Sequence, residues 1–326
     1  MRSKIIVFAP LFLLLALFLF PSISLAADAD LSVESVSFSP AQPLVNQTTK
    51  IIVRIKYTGS SSLTSNSSVN SLAFAHNDFQ QITSPETGAS VNPSSSNPLY
   101  SGTYFTYTVV GKFINAGTKT LSLKIDWANS LDESNENNNL IMPKVDVLKS
   151  GDLIKLPNDS AIYLIKADNQ KHLFVNGPTF WSYHRGNWGA IKLDGSLVYI
   201  QQISQTAFDS IATGSNIGVK SGSRLIKFQN SSRIYTVFGL SKIKLISDQT
   251  ALSLYGSKWK DKVVTIQNGF EADYIRADQD FFDSDSDGLS DEDERNVYYT
   301  NPYNNDSDGD SYKDGSEVFF DYSPSI

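Results

Sequence analysis

From residue 28 onward, apolar and polar positions alternate in short runs. Val53, Ile55 and Tyr57 alternate with Ile52, Arg54 and Lys56. Leu121, Leu123, Ile125 and Trp127 alternate with Ser122, Lys124, Asp126 and Ala128. A period of two puts each set of side chains on one face of a strand, so both runs predict half-buried β-strands. Thr103 to Val110 is rich in β-branched and aromatic residues and predicts a third. Polar stretches such as Thr58 to Ser62 and Asn92 to Pro98 separate the runs. Short strands joined by polar turns predict a β-sandwich over residues 28–148.

Particular residues in this region resemble the CARDB family of cell-adhesion-related modules. They are Asp30-Leu-Ser-Val33 at the start, Tyr57-Thr-Gly59, Ile125-Asp-Trp127, and the run Leu131 to Asn139. The resemblance implies an immunoglobulin-like sandwich serving as a spacer or adhesive module, without a catalytic site. Asp132, Glu133 and Glu136 in that run read as a solvated hairpin turn rather than a metal site.

Residues 151–274 contain an internal repeat. Leu153-Ile-Lys155 recurs as Leu225-Ile-Lys227, Tyr163 as Tyr235 and Tyr183 as Tyr255, each 72 residues later. Trp188 recurs as Trp259, shifted by one. Three motifs in one register predict a tandem duplication, with units at 151–217 and 222–274. Each unit reads as strands over Leu153–Leu156, Ala161–Ile165 and Lys171–Val175, a short helix carrying Phe180 and Tyr183, and a last strand such as Ala190–Leu193. This part is similar to tandem repeats of secreted bacterial proteins that precede calcium loops, a resemblance that implies architecture and no activity. Trp181, Trp188, Trp259, Tyr183 and Tyr255 are expected to form core rather than a glycan platform.

The first 26 residues read as a secretory signal peptide. Arg2 and Lys4 precede an apolar run from Ile5 to Phe20, and Ser24-Leu-Ala26 offers small residues for cleavage before Ala27. The expectation is export to the cell surface or beyond, with no stable transmembrane anchor after cleavage. The chain has no cysteine, so disulfides do not staple it.

Charge is uneven. Residues 278–326 hold 15 Asp or Glu against Arg295 and Lys313, a net −13 in a chain of net −7 overall. Their spacing dictates a chemistry. Asp283, Asp285, Asp287, Leu289, Asp291 and Glu294 occupy positions 1, 3, 5, 7, 9 and 12 of a loop with Gly288 at position 6. That is the calcium-loop pattern D-x-[DN]-x-[DN]-G-x5-E, in which Leu289 offers its carbonyl and Glu294 binds with both oxygens. A second loop begins 23 residues later with Asp306, Asp308, Asp310, Tyr312, Asp314 and Glu317 in the same positions. The two loops predict about two Ca2+ ions, a hard cation taking about six to eight oxygens each. Ser311 replaces glycine at the turn of the second loop. A left-handed residue with a Cβ costs roughly 1–2 kcal/mol, so this loop is expected to bind more weakly.

With Tyr299-Thr-Asn301-Pro302 between the loops, Asp283 to Glu317 resembles bacterial thrombospondin type 3-like calcium repeats. That resemblance implies a coreless segment organised by calcium. A dockerin-like docking tail also pairs two calcium loops, but the stretch Arg295 to Thr300 is short for a dockerin helix.

Catalytic patterns are missing. His76, His172 and His184 form no H-E-x-x-H, and no G-x-S-x-G, P-loop or dinucleotide fingerprint occurs. Basic residues are dispersed, which gives nucleic-acid binding no support. The chain therefore reads as mainly β and multi-domain: a sandwich, a duplicated β-rich α+β module and a small calcium-loop tail. The expected function is that of an exported, calcium-binding, non-catalytic protein with a structural, adhesion or protein-interaction role. Its expected partners are calcium and a cell-surface protein or glycan. The competing expectation is a secreted carbohydrate-active or wall-processing enzyme, or a glycan-binding module, centred on residues 151–274.

Overall fold

The computed structural model describes residues 28–63, 72–87, 98–184 and 199–325. The expected signal peptide, Trp188 and the strand expected at Ala190–Leu193 lie outside these residues. Among the described residues no helix is long and apolar enough to cross a membrane. The protein is mainly β and multi-domain, as the patterning predicted.

Among the described residues, nine strands build the sandwich: β1 (Asp30–Ser39), β2 (Thr48–Thr58), β3 (Leu72–Ala75), β4 (Phe79–Thr87), β5 (Tyr104–Phe113), β6 (Gly117–Thr120), β7 (Ser122–Ile125), β8 (Leu140–Ile141) and β9 (Lys144–Val147). One sheet runs β1-β2-β5-β4, a second β3-β7-β8, and β6 pairs with β9. The alternation read from the sequence faces inward. Ile51, Val53, Ile55 and Tyr57 from β2 meet Phe105, Tyr107, Val109 and Phe113 from β5, and Leu121, Leu123 and Ile125 complete the core.

Two expectations for this domain are corrected. Trp127 is 59% exposed and Asp126 is buried, the reverse of the expected alternation. The chain leaves the strand at Asp126, whose φ is 40°, and its carboxylate accepts the N–H groups of Ser130 and Leu131. The stretch after it is not a solvated turn throughout. Glu133 is buried and accepts from the N–H of Leu31 and from Asn139 Nδ2, which ties β1 to the final turn.

Among the described residues, the region expected to be a duplication forms two sheets. The first holds β10 (Leu153–Lys155), β11 (Tyr163–Ile165), β12 (Lys171–Leu173) and β13 (Ile200–Gln202), in the order β12-β11-β10-β13. Helices α1 (Gly177–Tyr183) and α2 (Gln205–Asp209) flank β13 in the chain. The second holds β14 (Leu225–Phe228), β15 (Ile234–Phe238), β16 (Lys242–Ile246), β17 (Val263–Ile266) and β18 (Ile275–Arg276), with α3 (Asp248–Tyr255) between β16 and β17. Its order is β17-β14-β15-β16-β18. The pairing Ile154↔Tyr163 recurs as Ile226↔Tyr235, and Tyr163↔Leu173 as Tyr235↔Leu245. In both sheets the first strand also pairs in parallel with the strand after the helix. Burial differs between the copies: Tyr235 is buried and Tyr163 half-buried.

Tyr255 and Trp259 are core residues of the second unit, and Trp181 and Tyr183 pack against Phe174 and Phe180 in the first. At the sandwich end, Leu44 and Leu148 share a core with Ile154, Ile165, Ile203 and Ile211. The sandwich is thus seated on the first unit through apolar contact.

Candidate metal centre

Each acidic loop is wound by its own carboxylates. Asp283 accepts the N–H groups of Asp287 (3.2 Å) and Gly288 (3.1 Å), Asp285 accepts that of Asp287 (3.3 Å), and Asp287 accepts that of Leu289 (2.8 Å). The second loop repeats the scheme. Asp306 accepts from Gly309 (2.8 Å) and Ser311 (2.9 Å), Asp308 from Asp310 (3.2 Å), and Asp310 from Tyr312 (2.8 Å). The winding brings one carboxylate oxygen from each of Asp283, Asp285 and Asp287 within 4.8 Å of the others, and likewise one from each of Asp306, Asp308 and Asp310.

Positions 9 and 12 behave differently. Asp291 accepts from the N–H (2.9 Å) and hydroxyl (3.0 Å) of Ser284, and Asp314 accepts from the same groups of Ser307 at 2.8 and 2.6 Å. These two aspartates close the loops and stand apart from the two trios, consistent with a position reached through water. Ser284 and Ser307, both at position 2, make these closing bonds, and the ligand spacing alone did not single them out. Their recurrence at the 23-residue offset was the available signal.

Glu294 is completely buried and Glu317 is 7% exposed. Thr300 Oγ1 donates to one oxygen of Glu294 (3.2 Å), but Oε2 of Glu294, Oε2 of Glu317 and Oδ2 of Asp285 have no hydrogen-bond partner. A buried charged carboxylate without a partner is costly. Burial, and then the negative charge of Asp287 and Asp285, pushes Glu294 up to about 8. Burial and then the acids of its own loop push Glu317 up to about 7, and burial raises Asp287 to about 7. Oxygen donors with orphaned buried atoms fit a hard divalent cation. A trio of carboxylates, joined by the carbonyl and the bidentate glutamate that the spacing predicts, would suit calcium better than magnesium, which usually takes one or two carboxylates.

Backbone conformation revises the expected difference between the loops. In the first, Ser286 (φ 64°) and Gly288 (φ 104°) are left-handed; in the second, Gly309 (φ 79°) and Ser311 (φ 80°) are. Each loop therefore contains one left-handed serine and one left-handed glycine, in opposite order. The cost assigned to Ser311 has a counterpart at Ser286, so backbone strain does not separate the two sites.

The tail is also not coreless. Helix α4 (Asp291–Asp293) runs into a π-type turn over Glu294–Tyr298, and α5 (Asp314–Phe319) follows the second loop. Leu289, Tyr298 and Val318 form an apolar cluster, and Phe319 joins Leu225, Ala251, Tyr255 and Trp259 in the core of the second unit. Tyr298 donates to the carbonyl of Ser221 (2.5 Å), and the N–H of Gly239 to Asp293 (3.1 Å). Asp321 pairs with Arg224 (2.8 Å) and Lys262 (2.6 Å). Leu289 thus packs its side chain inward, whereas Tyr312 at the matching position is 67% exposed.

Comparison with known proteins bears on the sandwich. Residues 28–142 match the CARDB family model, and a CARDB domain is present there. The solution structure of the CARDB domain of the PF1109 protein from Pyrococcus furiosus is 18% identical, covering 37% of this chain and 97% of that one, with a TM-score of 0.25. A crystal structure of the same domain in complex with di-metal ions is 21% identical, covering 37% and 89%, with a TM-score of 0.24. A cohesin module from a Clostridium perfringens family 33 glycoside hydrolase is 13% identical, covering 38% and 98%, with a TM-score of 0.20. No curated protein matches the chain. The family match ends before residues 151–274 and the acidic loops.

Proposed function

We propose that this chain is an exported, calcium-binding, non-catalytic surface or extracellular protein with an adhesive or structural role. The CARDB domain suggests a surface or adhesion-related module. The apolar joint at Leu44 and Leu148 supports a spacer that holds its neighbours in fixed orientation. Calcium in the two loops would neutralise the carboxylate trios and lock the tail onto the second unit. The observation that carries this reading is the pair of buried position-12 glutamates, each with an unpartnered oxygen and each feeling the charge of its own loop's clustered aspartates.

Thermal melting of the mature chain with calcium or with chelator tests it. Calcium at 100 times its dissociation constant stabilises by about 2.7 kcal/mol per independent site, so the tail transition should move to clearly higher temperature. Residues 278–326 should also become protease-sensitive in chelator. Equal melting and equal protease resistance in both conditions would overturn the reading.

A further inference from the structure

The start of the second loop's helix lies on the backbone of the first loop. The N–H of Gly315 donates to Oδ2 of Asp287 at 2.7 Å, in a fully buried contact. Gly315 is not left-handed, so no turn requires glycine there. The close approach does. A Cβ at this position would sit 2.4 Å from the carbonyl oxygen of Asp287 and 3.2 Å from the nitrogen of Leu289. The first loop has Glu292 at the equivalent position, so this glycine is not part of the repeated loop pattern. Two further contacts join the loops: Lys313 Nζ donates to the carbonyl of Ser286 (3.4 Å), and Leu289 and Val318 share one apolar cluster.

The Asp287 carboxylate thus has two tasks. It belongs to the aspartate trio of the first loop, and it holds the residue between Asp314 and Glu317, positions 9 and 12 of the second. An ion that fixes Asp287 also fixes the helical turn that presents Glu317. From this contact we propose that the two loops bind divalent cations with positive coupling, transmitted through Asp287 and Gly315. The proposal rests on the calcium-binding reading above. Coupling of this kind is reciprocal: each ion must raise the affinity for the other by the same factor.

Calorimetric titration of the mature chain with calcium chloride tests it, using wild type, Glu294→Gln, Glu317→Gln and Gly315→Ala. Wild type should bind two ions with a Hill coefficient above one. Glu294→Gln should weaken the second loop, and Glu317→Gln the first, by one common factor of about five-fold or more. In Gly315→Ala the Hill coefficient should fall to one. If Gly315→Ala does not fold, the reciprocity of the two glutamate variants decides alone. Two ions bound independently, each glutamate variant leaving the other loop's affinity unchanged, would overturn the coupling and leave the calcium reading standing. No calcium bound by wild type would overturn both.

Discussion

The ring of Tyr255 lies flat against the ring of Phe319, with centroids 4.0 Å apart and planes 15° apart. Tyr255 ends α3 of the second unit, and Phe319 ends α5 behind the second acidic loop. The hydroxyl of Tyr255 also reaches the carbonyl of Gly288 in the first loop (3.4 Å). One tyrosine therefore contacts both halves of the tail.

Removing this contact should detach the tail. Phe319 is fully buried, and truncating a buried phenylalanine to alanine costs about 3–5 kcal/mol. Phe319→Ala should make residues 278–326 protease-sensitive even in calcium, while the sandwich melts as in wild type. Unchanged protease resistance would show that the stacked pair contributes little.

Glu133 gives the sandwich a pH dependence of defined sign. Burial pushes its carboxyl up to about 7, against an ordinary value of 4.5, although Leu31 and Asn139 donate to it. The folded state therefore binds the proton more tightly than the unfolded chain, and this group's contribution is largest below about pH 4.5 and lost as pH rises through 7. The loss is on the order of 2–3 kcal/mol. Chemical denaturation of the sandwich between pH 5 and 8 should show the decline, and Glu133→Gln should flatten it. The same decline in Glu133→Gln would assign the effect to other groups.

The left-handed serines should respond alike. Ser286→Gly and Ser311→Gly each relieve a Cβ at positive φ, and each should tighten its own loop by about 1 kcal/mol, roughly five-fold. Calorimetry on the two variants checks this. An effect confined to Ser311→Gly would restore the asymmetry expected from sequence and contradict the equivalence seen in the backbone.

Much of the fold was legible because its signals are periodic. Ile51 to Tyr57 and Leu121 to Ile125 show the strand period directly, and the 72-residue offset marks the register shared by Ile154–Tyr163 and Ile226–Tyr235. The metal-site candidates were legible for the same reason, since ligand positions recur along a loop. What stayed hidden depends on contacts far apart in sequence. Leu289, Val318 and Phe319 are single apolar residues in an acidic stretch, with no period to reveal that they face the second unit. Glu133 reads as a surface acid, and only the arrival of β1 buries it. Gly315 resembles any loop glycine until Asp287 is seen 28 residues away in sequence. Ser286 escaped notice because its left-handed backbone lies at position 4, where the loop pattern places no constraint.

The calcium content of the chain tests the central claim most directly. Mature protein equilibrated with calcium, then freed of unbound ion by gel filtration in buffer at a fixed free calcium concentration, is assayed by elemental analysis. The account predicts about two calcium ions per chain, clearly fewer than one in Glu294→Gln or Glu317→Gln at free calcium just sufficient to fill wild type, because the remaining loop loses its coupling, and none in the double variant. Wild-type protein that carries no calcium at millimolar free ion, or a double variant that keeps the wild-type content, would contradict it.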